Sequence, residues 1–476
     1  MSNINLSDDT IAGISTPPGV GGIGIIRISG RDALNIAERI FYSPKEKKIA
    51  SMPSFTMAYG FIIDPESAEK PEKVDEALLS VMRAPKSYTA EDVVEINCHG
   101  GLFTVSKTLQ LALNAGARLA APGEFTMRAF LNGRIDLAQA EAVLDIINAA
   151  THSSGRLALE QLCGGLSSAI SPIINELISI CAGVEAQIDF PEDDIPPSDK
   201  SMLADKINSL TTAIKTLSDS YSFGRFYREG MSTAIVGKPN VGKSSLLNAL
   251  LKRDRAIVTP LPGTTRDTIE EAININGLPV RIVDTAGIRE SHELAEAEGI
   301  NRSIAAIESA ALVIAVFDGS TSFTSDDDEI LRATTGKDII IAINKADKKM
   351  VYTNDYVIDK YRHATNHNAE VKVVNISALS GSGLDILKET LYRHVMRSST
   401  PEAHEGAIVT NQRHKGALDE AASALINAKK SLRADAPYEI IAIELRNSLN
   451  ALGQITGSIT TGDILDRIFS DFCIGK

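Results

Sequence analysis

Gly237-Lys238-Pro239-Asn240-Val241-Gly242-Lys243-Ser244 fits the phosphate-loop pattern G-x-x-x-x-G-K-[ST]. The glycines let successive backbone N–H groups, including those of Val241 and Gly242, curl around phosphate oxygens. Lys243 is placed to reach the β- and γ-phosphates, and Ser244 to hold Mg²⁺. The flanks agree with this. The apolar run 233–236 reads as a short buried strand, and Ser245 starts a run to 250 that opens a helix. The N-terminus of that helix faces the anion.

Three further segments follow in the order a guanine-nucleotide site requires. The strand-like run 281–283 ends in Asp284-Thr285-Ala286-Gly287. Asp284 is expected to hold Mg²⁺ through water, and Gly287 to offer its N–H to a γ-phosphate. The run 339–343 is another buried strand, ending in Asn344-Lys345-Ala346-Asp347. The carboxylate of Asp347 can accept from both N1–H and the 2-amino group of guanine. Adenine lacks that donor pair and would leave the carboxylate unpaired. The run 371–374 leads to Ser377-Ala378-Leu379, which fits the loop that closes over the base. Each piece is weak alone. In order, each after its own strand, they predict a Ras-like α/β domain that binds GTP.

One expected group is missing. Ras-type enzymes place a Gln after the glycine of D-x-x-G to position the attacking water. Here that position is Ile288, which cannot hydrogen-bond water. Acids in the polar loop 290–296 are the replacements to consider, against the plainer reading of a solvated face. Asn240 lies inside the phosphate loop, and 257–266 is rich in hydroxyls and free carbonyls. An amide oxygen and carbonyls near the phosphates would suit a monovalent cation, which would neutralise charge as an arginine finger does.

With 476 residues the chain has room for about three domains. Its net charge of −13 disfavours non-specific nucleic-acid binding, so any RNA contact needs a local basic patch. No apolar run approaches 18 residues, and the polar start has no basic leader, so neither a membrane span nor a secretory signal is expected. Cys98, Cys163, Cys181 and Cys473 lie far apart with no CxxC pair, which suits a reducing cytoplasm and offers no zinc site.

Residues 10–116 read as a mixed α/β domain. Strands are expected at 10–14, 22–28, 76–82 and 93–97, and helices at 33–40 and 104–115. Gly19-Val20-Gly21-Gly22-Ile23-Gly24 fits G-x-G-x-x-G formally, but a strand follows it, which argues against a dinucleotide site. Alternation puts Ile23, Ile25 and Arg27 on one face. Arg27 reads either as an edge-strand charge or as a ligand for an anion or pterin, and Glu95 poses the same question.

From about 120 the pattern turns helical. Leu137, Ala140, Leu144 and Ile147 form one stripe. Leu162, Leu166, Ile170, Ile173, Leu177, Cys181, Val184 and Ile188 form a longer one, broken by the acids and prolines of 189–197. A helix at 202–217 leads into the nucleotide domain. Stripes resume with Leu418, Ala421 and Leu425, then Ile441, Leu445, Leu449 and Leu452, then Leu465, Ile468 and Phe472. One helical bundle made from two chain segments, with the nucleotide domain inserted, is the simplest architecture. At the end, Cys473 is a thiol nucleophile to consider, and Lys476 brings an amine and a carboxylate to one spot. A prenylation signal fits poorly with Gly475 and a terminal lysine.

The motifs Thr16-Pro17-Pro18-Gly19, 21–30, Gly100-Gly101, Pro122-Gly123-Glu124-Phe125-Thr126 and 129–137 carry a specific likeness. Together with the inserted nucleotide domain and the terminal Cys473-Ile474-Gly475-Lys476, the chain from about 9 to 476 resembles the MnmE/TrmE family of tRNA-modifying GTPases. The resemblance implies an N-terminal α+β domain (1–120) that binds tetrahydrofolate and dimerises. It implies a helical domain in two parts (121–220 and 391–476) and an inserted GTPase domain (221–390). It implies that the chain, with an FAD-dependent partner, modifies C5 of the wobble uridine of certain tRNAs. By position, Arg27, Glu95, Arg134 and Lys476 fall where the family contacts folate, although Arg134 stands where some members have Lys. Asn240, Thr259, Leu261 (by its carbonyl) and Thr264 match a potassium-binding set. Ser244 and Thr265 match the Mg²⁺ ligands, and Glu296 the residue that orients water. The rivals are a ribosome-assembly type switch, which does not predict the N-terminal and terminal motifs, and an ATP-dependent kinase, which Asp347 argues against.

Overall fold

Alternating apolar residues near the start of the chain build a sheet with one covered face. The computed structural model describes residues 9–45, 48–66, 71–189, 200–254, 271–283, 305–365, 371–396, 406–459, 462–470, 472, 473 and 475. They fall into two compact units, Met1–Leu144 with Gly453–Lys476, and Asp145–Leu452.

The first unit runs β1 (Ile11–Ile14), β2 (Gly24–Ser29), α1 (Ala33–Ile40), β3 (Phe41–Tyr42), β4 (Thr56–Asp64), β5 (Glu72–Met82), β6 (Val93–Cys98), α2 (Leu102–Asn114), β7 (Arg118–Leu119), α3 (Glu124–Leu131) and α4 (Leu137–Asn148). Its strands form one sheet in the order β3-β4-β5-β6-β2-β1-β7. Ile26, Ile28, Leu79, Val81 and Ile96 point from the sheet into a core shared with Leu34, Ile36 and Ile40 of α1 and Leu111 of α2. Ile25 and Arg27 therefore lie on the opposite face of β2. Gly24 opens a strand, as expected, and its lack of a side chain serves packing. A Cβ there would meet Val105 Cγ2 of α2 at 2.3 Å.

The C-terminal helix, Gly462–Ser470, packs against α3 inside this same unit. Phe469 and Phe472 are buried with Ala129, Ile135, Leu137 and Ala140. Leu465 and Ile468 of the expected stripe are helical, whereas Phe472 lies beyond the helix end, and all three join the core of the first unit instead of extending the bundle. Spacing dictates which face of a helix is apolar; it does not dictate which core that face enters.

The second unit begins with α5 (His152–Leu162), α6 (Gly165–Asp189), α7 (Lys200–Asp219) and α8 (Tyr221–Glu229). An α/β domain follows: β8 (Met231–Val236), α9 (Lys243–Asp254), β9 (Glu271–Ile275), β10 (Leu278–Val283), β11 (Leu312–Asp318), α10 (Ser325–Ala333), β12 (Asp338–Asn344), α11 (Asn354–Thr365), β13 (Lys372–Asn375) and α12 (Leu384–Met396). The chain then returns as α13 (Gln412–Arg433) and α14 (Tyr438–Thr456). The returning α13 lies along α7, tied by Ser218 Oγ to Asp419 Oδ1 at 2.5 Å and by Lys429 Nζ to Asn208 Oδ1 at 2.5 Å. Arg446 of α14 pairs with Glu185 of α6 at 2.7 Å. The bundle is thus discontinuous, and the α/β domain is an insertion within it.

The inserted sheet has the order β13-β12-β11-β8-β10-β9. Its strands pair in parallel except β9, which pairs antiparallel with β10. The near-continuous apolar runs of β8, β11 and β12 reflect burial on both faces. Thr151, the N-cap of α5, donates through Oγ1 to Gly277 O at 2.7 Å and so touches the β9–β10 turn.

Among the described residues, α6 is long and apolar enough to cross a membrane by length and composition, with a mean hydropathy of 1.4 over its best window. The sequence reading expects no such run. Leu166, Ile170, Ile173, Leu177, Ile180, Cys181 and Val184 of α6 are buried, and the helix packs on α5 and α7. A core helix of a bundle gives the same composition.

Candidate functional site: a nucleotide loop and a second polar cluster

Parallel strands leave their C-terminal ends open for a ligand, and the loop after β8 lies at such an end. Gly242 has φ +103°, and a Cβ on it would come within 2.2 Å of Asn344 Nδ2. Only glycine lets the loop pass there. Lys243 Nζ donates to Gly237 O at 2.8 Å and Lys238 O at 2.9 Å, so its ammonium is held inside the loop. Burial pushes its pKa below the ordinary lysine value. Ser244 and Ser245 lie in the first turn of α9. Asn240, at φ +66°, lines an open cleft with Lys238, Val241, Asp318, Asp327 and Lys345. Lys238 pairs with Asp327 at 2.6 Å, which anchors the loop to the N-terminus of α10.

Beside this loop, hydrogen bonds join the residues that follow β12 and β13. Asn344 is buried; its Nδ2 donates to Val241 O at 2.8 Å, and its Oδ1 accepts from Ala378 N at 2.9 Å. Ser377 Oγ donates to Asp347 Oδ1 at 2.6 Å. That hydroxyl holds the Asp347 carboxyl below its usual range, so it is an ionised acceptor at neutral pH. Lys345 Nζ reaches Asp318 Oδ2 at 2.5 Å. Leu379 is exposed at the rim. The structure therefore brings Val241, Gly242 and Lys243 together with Asn344, Asp347, Ser377 and Ala378. Thr259, Leu261, Thr264, Thr265, Asp284, Thr285, Ala286, Gly287, Glu296 and Lys476 lie outside the described residues.

A second polar cluster sits on the open face of the N-terminal sheet. Arg27 and Glu95 are partners in the β2–β6 register, and Arg27 Nε donates to Glu95 Oε1 at 2.8 Å. The guanidinium of Arg27 lies 4.8 Å from the ring centre of Tyr88 and 5.5 Å from that of Phe125. Arg134 also lies 4.8 Å from the Tyr88 ring centre. The turn that ends α3 puts it there, with Arg134 N donating to Ala129 O at 2.9 Å. The C-terminal tail reaches the same place. Gly475 O accepts from Ser15 Oγ at 3.0 Å and from Arg27 Nη1 at 3.5 Å, and Cys473 O accepts from Gly123 N at 3.4 Å.

Comparison with known proteins bears on the whole chain. Residues 10–134 match the family described as GTP-binding protein TrmE N-terminus, and residues 137–473 match the MnmE helical domain. The tRNA modification GTPase MnmE of Desulforamulus reducens is 44% identical over 469 residues, covering 98% of this chain and 100% of that one. The protein of the same name from Carboxydothermus hydrogenoformans is 45% identical, covering 99% and 100%. The chain belongs to the MnmE family of tRNA modification GTPases.

This MnmE family member is thus a GTPase. Sequence reasoning groups Arg27, Glu95 and Arg134 only through the resemblance; the fold makes them neighbours in space. It had missed Tyr88, because a lone aromatic in an irregular loop has no period to reveal it. It had also missed Asp318, whose only signal was its place at the C-terminal end of a buried strand. Beneath the second cluster of this MnmE relative lies a buried charge network. Arg128, 1% exposed, pairs with Asp9 at 2.5 Å, with Glu124 at 3.0 Å and with Glu91 at 3.2 Å. Arg118 pairs with Glu124 at 2.5 Å. Burial raises the Glu124 pKa, but the hydrogen bonds from Arg118, Ala121 N–H and Arg128 outweigh it and leave the carboxyl below its usual range.

Proposed function

We propose that this chain uses GTP hydrolysis and a reduced folate to build an aminomethyl or carboxymethylaminomethyl group on C5 of the wobble uridine of certain tRNAs. In this reading it works in the cytoplasm as a homodimer with an FAD-dependent partner protein. The four segments 1–120, 121–220, 221–390 and 391–476 divide the work into folate binding and dimerisation, helical support, GTP hydrolysis, and a second helical part with the catalytic tail. Folate supplies the one-carbon bridge when bound.

One observation carries the folate assignment: Gly475 O stands 3.0 Å from Ser15 Oγ and 3.5 Å from Arg27 Nη1, which brings the tail of the chain to the Arg27–Glu95–Arg134 cluster. The residue types fit the ligand. A carboxylate such as Glu95 can accept from a pterin N3–H and 2-amino group, and guanidinium groups suit the ligand's carboxylates. Cys473 is exposed and brings a thiol alongside, and Lys476 follows Gly475 directly.

In the nucleotide site, Lys243 and the N–H groups of the loop bind the phosphates. Asp347 reads guanine, and Asn344, Lys345, Ser377, Ala378 and Leu379 frame it. Ser244 and Thr265 would hold Mg²⁺, with Asp284, Thr285, Ala286 and Gly287 facing the γ-phosphate. Asn240 lines the cleft beside the loop with an amide oxygen that suits a hard cation. With Thr259, Thr264 and the Leu261 carbonyl it would hold K⁺, whose charge offsets the negative charge that builds on the phosphates. Glu296 orients the attacking water in place of the missing Gln.

Equilibrium titration of the full-length protein with 5-formyltetrahydrofolate tests the proposal. Saturable binding without nucleotide, lost on Arg27→Ala, is expected. No binding to the unaltered protein would refute it.

A further inference from the structure

Two arginines share one aromatic ring in the second cluster. The guanidinium carbons of Arg27 and Arg134 each lie 4.8 Å from the ring centre of Tyr88, so both cations fall within the reach of one small ligand. Their charges are not equally balanced. Arg27 is paired with Glu95 at 2.8 Å, whereas Arg134 has no carboxylate partner among the described residues. The cluster therefore keeps a net cation, held against a π face whose quadrupole attracts it.

The ring itself is firmly held. Tyr88 OH is 2.8 Å from Thr126 Oγ1 of α3. The next residue, Thr89, is fully buried; its hydroxyl is 2.7 Å from Ser29 Oγ, and its carbonyl accepts from Asn132 Nδ2 at 2.7 Å. Ser29 Oγ also donates to Glu91 Oε2 at 2.7 Å, and Glu91 is an ion-pair partner of the buried Arg128. The loop between β5 and β6 has no ladder of its own to fix it. The network of buried Arg128 and Ser29 with half-buried Glu91 and exposed Asn132 replaces that ladder and sets the position of residue 88.

We propose that Tyr88 is a positioning residue of this site: its ring holds the Arg27 and Arg134 guanidinium groups together for one anionic ligand. Resting on the folate reading above, the ligand class is a reduced pterin bearing carboxylates. The buried charge network under the loop exists to keep the ring in place, which accounts for ionic groups that no step of the chemistry uses.

The test is calorimetric titration of the full-length protein with 5-formyltetrahydrofolate. The set comprises the unaltered chain, Tyr88→Phe, Tyr88→Leu, Arg134→Ala and the Tyr88→Leu/Arg134→Ala pair. GTP hydrolysis of each is measured to show that each is folded. Tyr88→Phe keeps the ring and is expected to bind within about twofold of the unaltered protein. Tyr88→Leu is expected to lose about tenfold. Because Tyr88 acts through the arginines, its loss should be smaller in the Arg134→Ala background than alone. Equal binding by Tyr88→Leu and the unaltered chain would overturn the positioning role while leaving the folate site intact. A loss in Tyr88→Phe as large as in Tyr88→Leu would overturn the ring's part in it and assign the effect to the hydroxyl. An unaltered protein that fails to bind would overturn the folate reading itself.

Discussion

Asn344 ties the phosphate loop to the base-recognition strand, its Nδ2 donating to Val241 O at 2.8 Å while its Oδ1 accepts from Ala378 N at 2.9 Å. The loop after β8 and the loop after β13 thus share one buried side chain. Gly242 is the tightest point of that junction. Gly242→Ala places a methyl 2.2 Å from Asn344 Nδ2 at a φ of +103°. GTP affinity should fall by at least about tenfold, roughly 1–3 kcal/mol of strain and lost contact. Filter binding or titration with a fluorescent GTP analogue reads this directly, and an unchanged affinity would show that the junction is not tight.

The proposed base reader is Asp347, whose ionised carboxyl is steadied by Ser377 Oγ at 2.6 Å. Asp347→Asn exchanges a double acceptor for an amide that mismatches the guanine donors and suits xanthine. GTP affinity is expected to drop by about 100-fold, near 3 kcal/mol, and xanthosine triphosphate to bind better than GTP. Competition between the two nucleotides measures the exchange.

The proposed potassium site at Asn240 predicts a salt dependence. Hydrolysis should run at least about tenfold faster in potassium than in sodium at equal ionic strength, since the smaller ion fits a potassium-sized set of oxygens poorly. Asn240→Ala should erase the preference while nucleotide binding largely persists. Equal rates in the two salts for the unaltered protein would send the search to arginines such as Arg266 or Arg289.

The network beneath the second cluster predicts an acid transition in the first unit. Glu124 and Asp9 both have folded-state pKa values held below their ordinary 4.5 and 3.8, the arginine hydrogen bonds outweighing burial. Depressed carboxylates contribute stability that is fully present above the unfolded values and lost as pH falls through the folded ones. Stability should therefore stay level from neutral pH to about 5 and fall below that. Glu124→Gln leaves Arg118 and the buried Arg128 short of a carboxylate, at a cost of about 3 kcal/mol at neutral pH, and should flatten the acid dependence. Calorimetric scans from pH 3 to 7 compare the two chains, and parallel curves would contradict the network's role.

Much of the nucleotide site was readable from the chain alone. Each of the motifs proposed for it follows its own buried strand, and Gly242, Lys243 and Asp347 carry chemistry that few other residue types supply. The second cluster was half readable. Alternation in β2 set the face of Arg27, but its partner across the sheet depends on a register with Glu95 that lies far off in sequence. Tyr88 and the placement of Arg134 depend on loops shaped by buried Arg128 and by Asn132, which no local pattern announces. Strand β4 escaped notice because Gly60 interrupts its alternation; a Cβ there would meet Tyr42 O at 2.3 Å, so the glycine belongs to the β3–β4 contact. The C-terminal helix was legible as a helix, while its seat beside α3 was not, since Phe469 and Phe472 would suit any apolar surface.

The most direct test of the account separates the tail from the nucleotide pocket. Wobble-uridine nucleosides are analysed from cells that lack this chain and carry either the full protein or one ending at Phe472. The nucleotide pocket uses none of the removed residues, so the purified truncated protein should hydrolyse GTP at the normal rate. The full protein should restore the C5-modified uridine and the truncated one should not. A normal level of the modified nucleoside with the truncated chain, or in cells without the chain at all, would contradict the account.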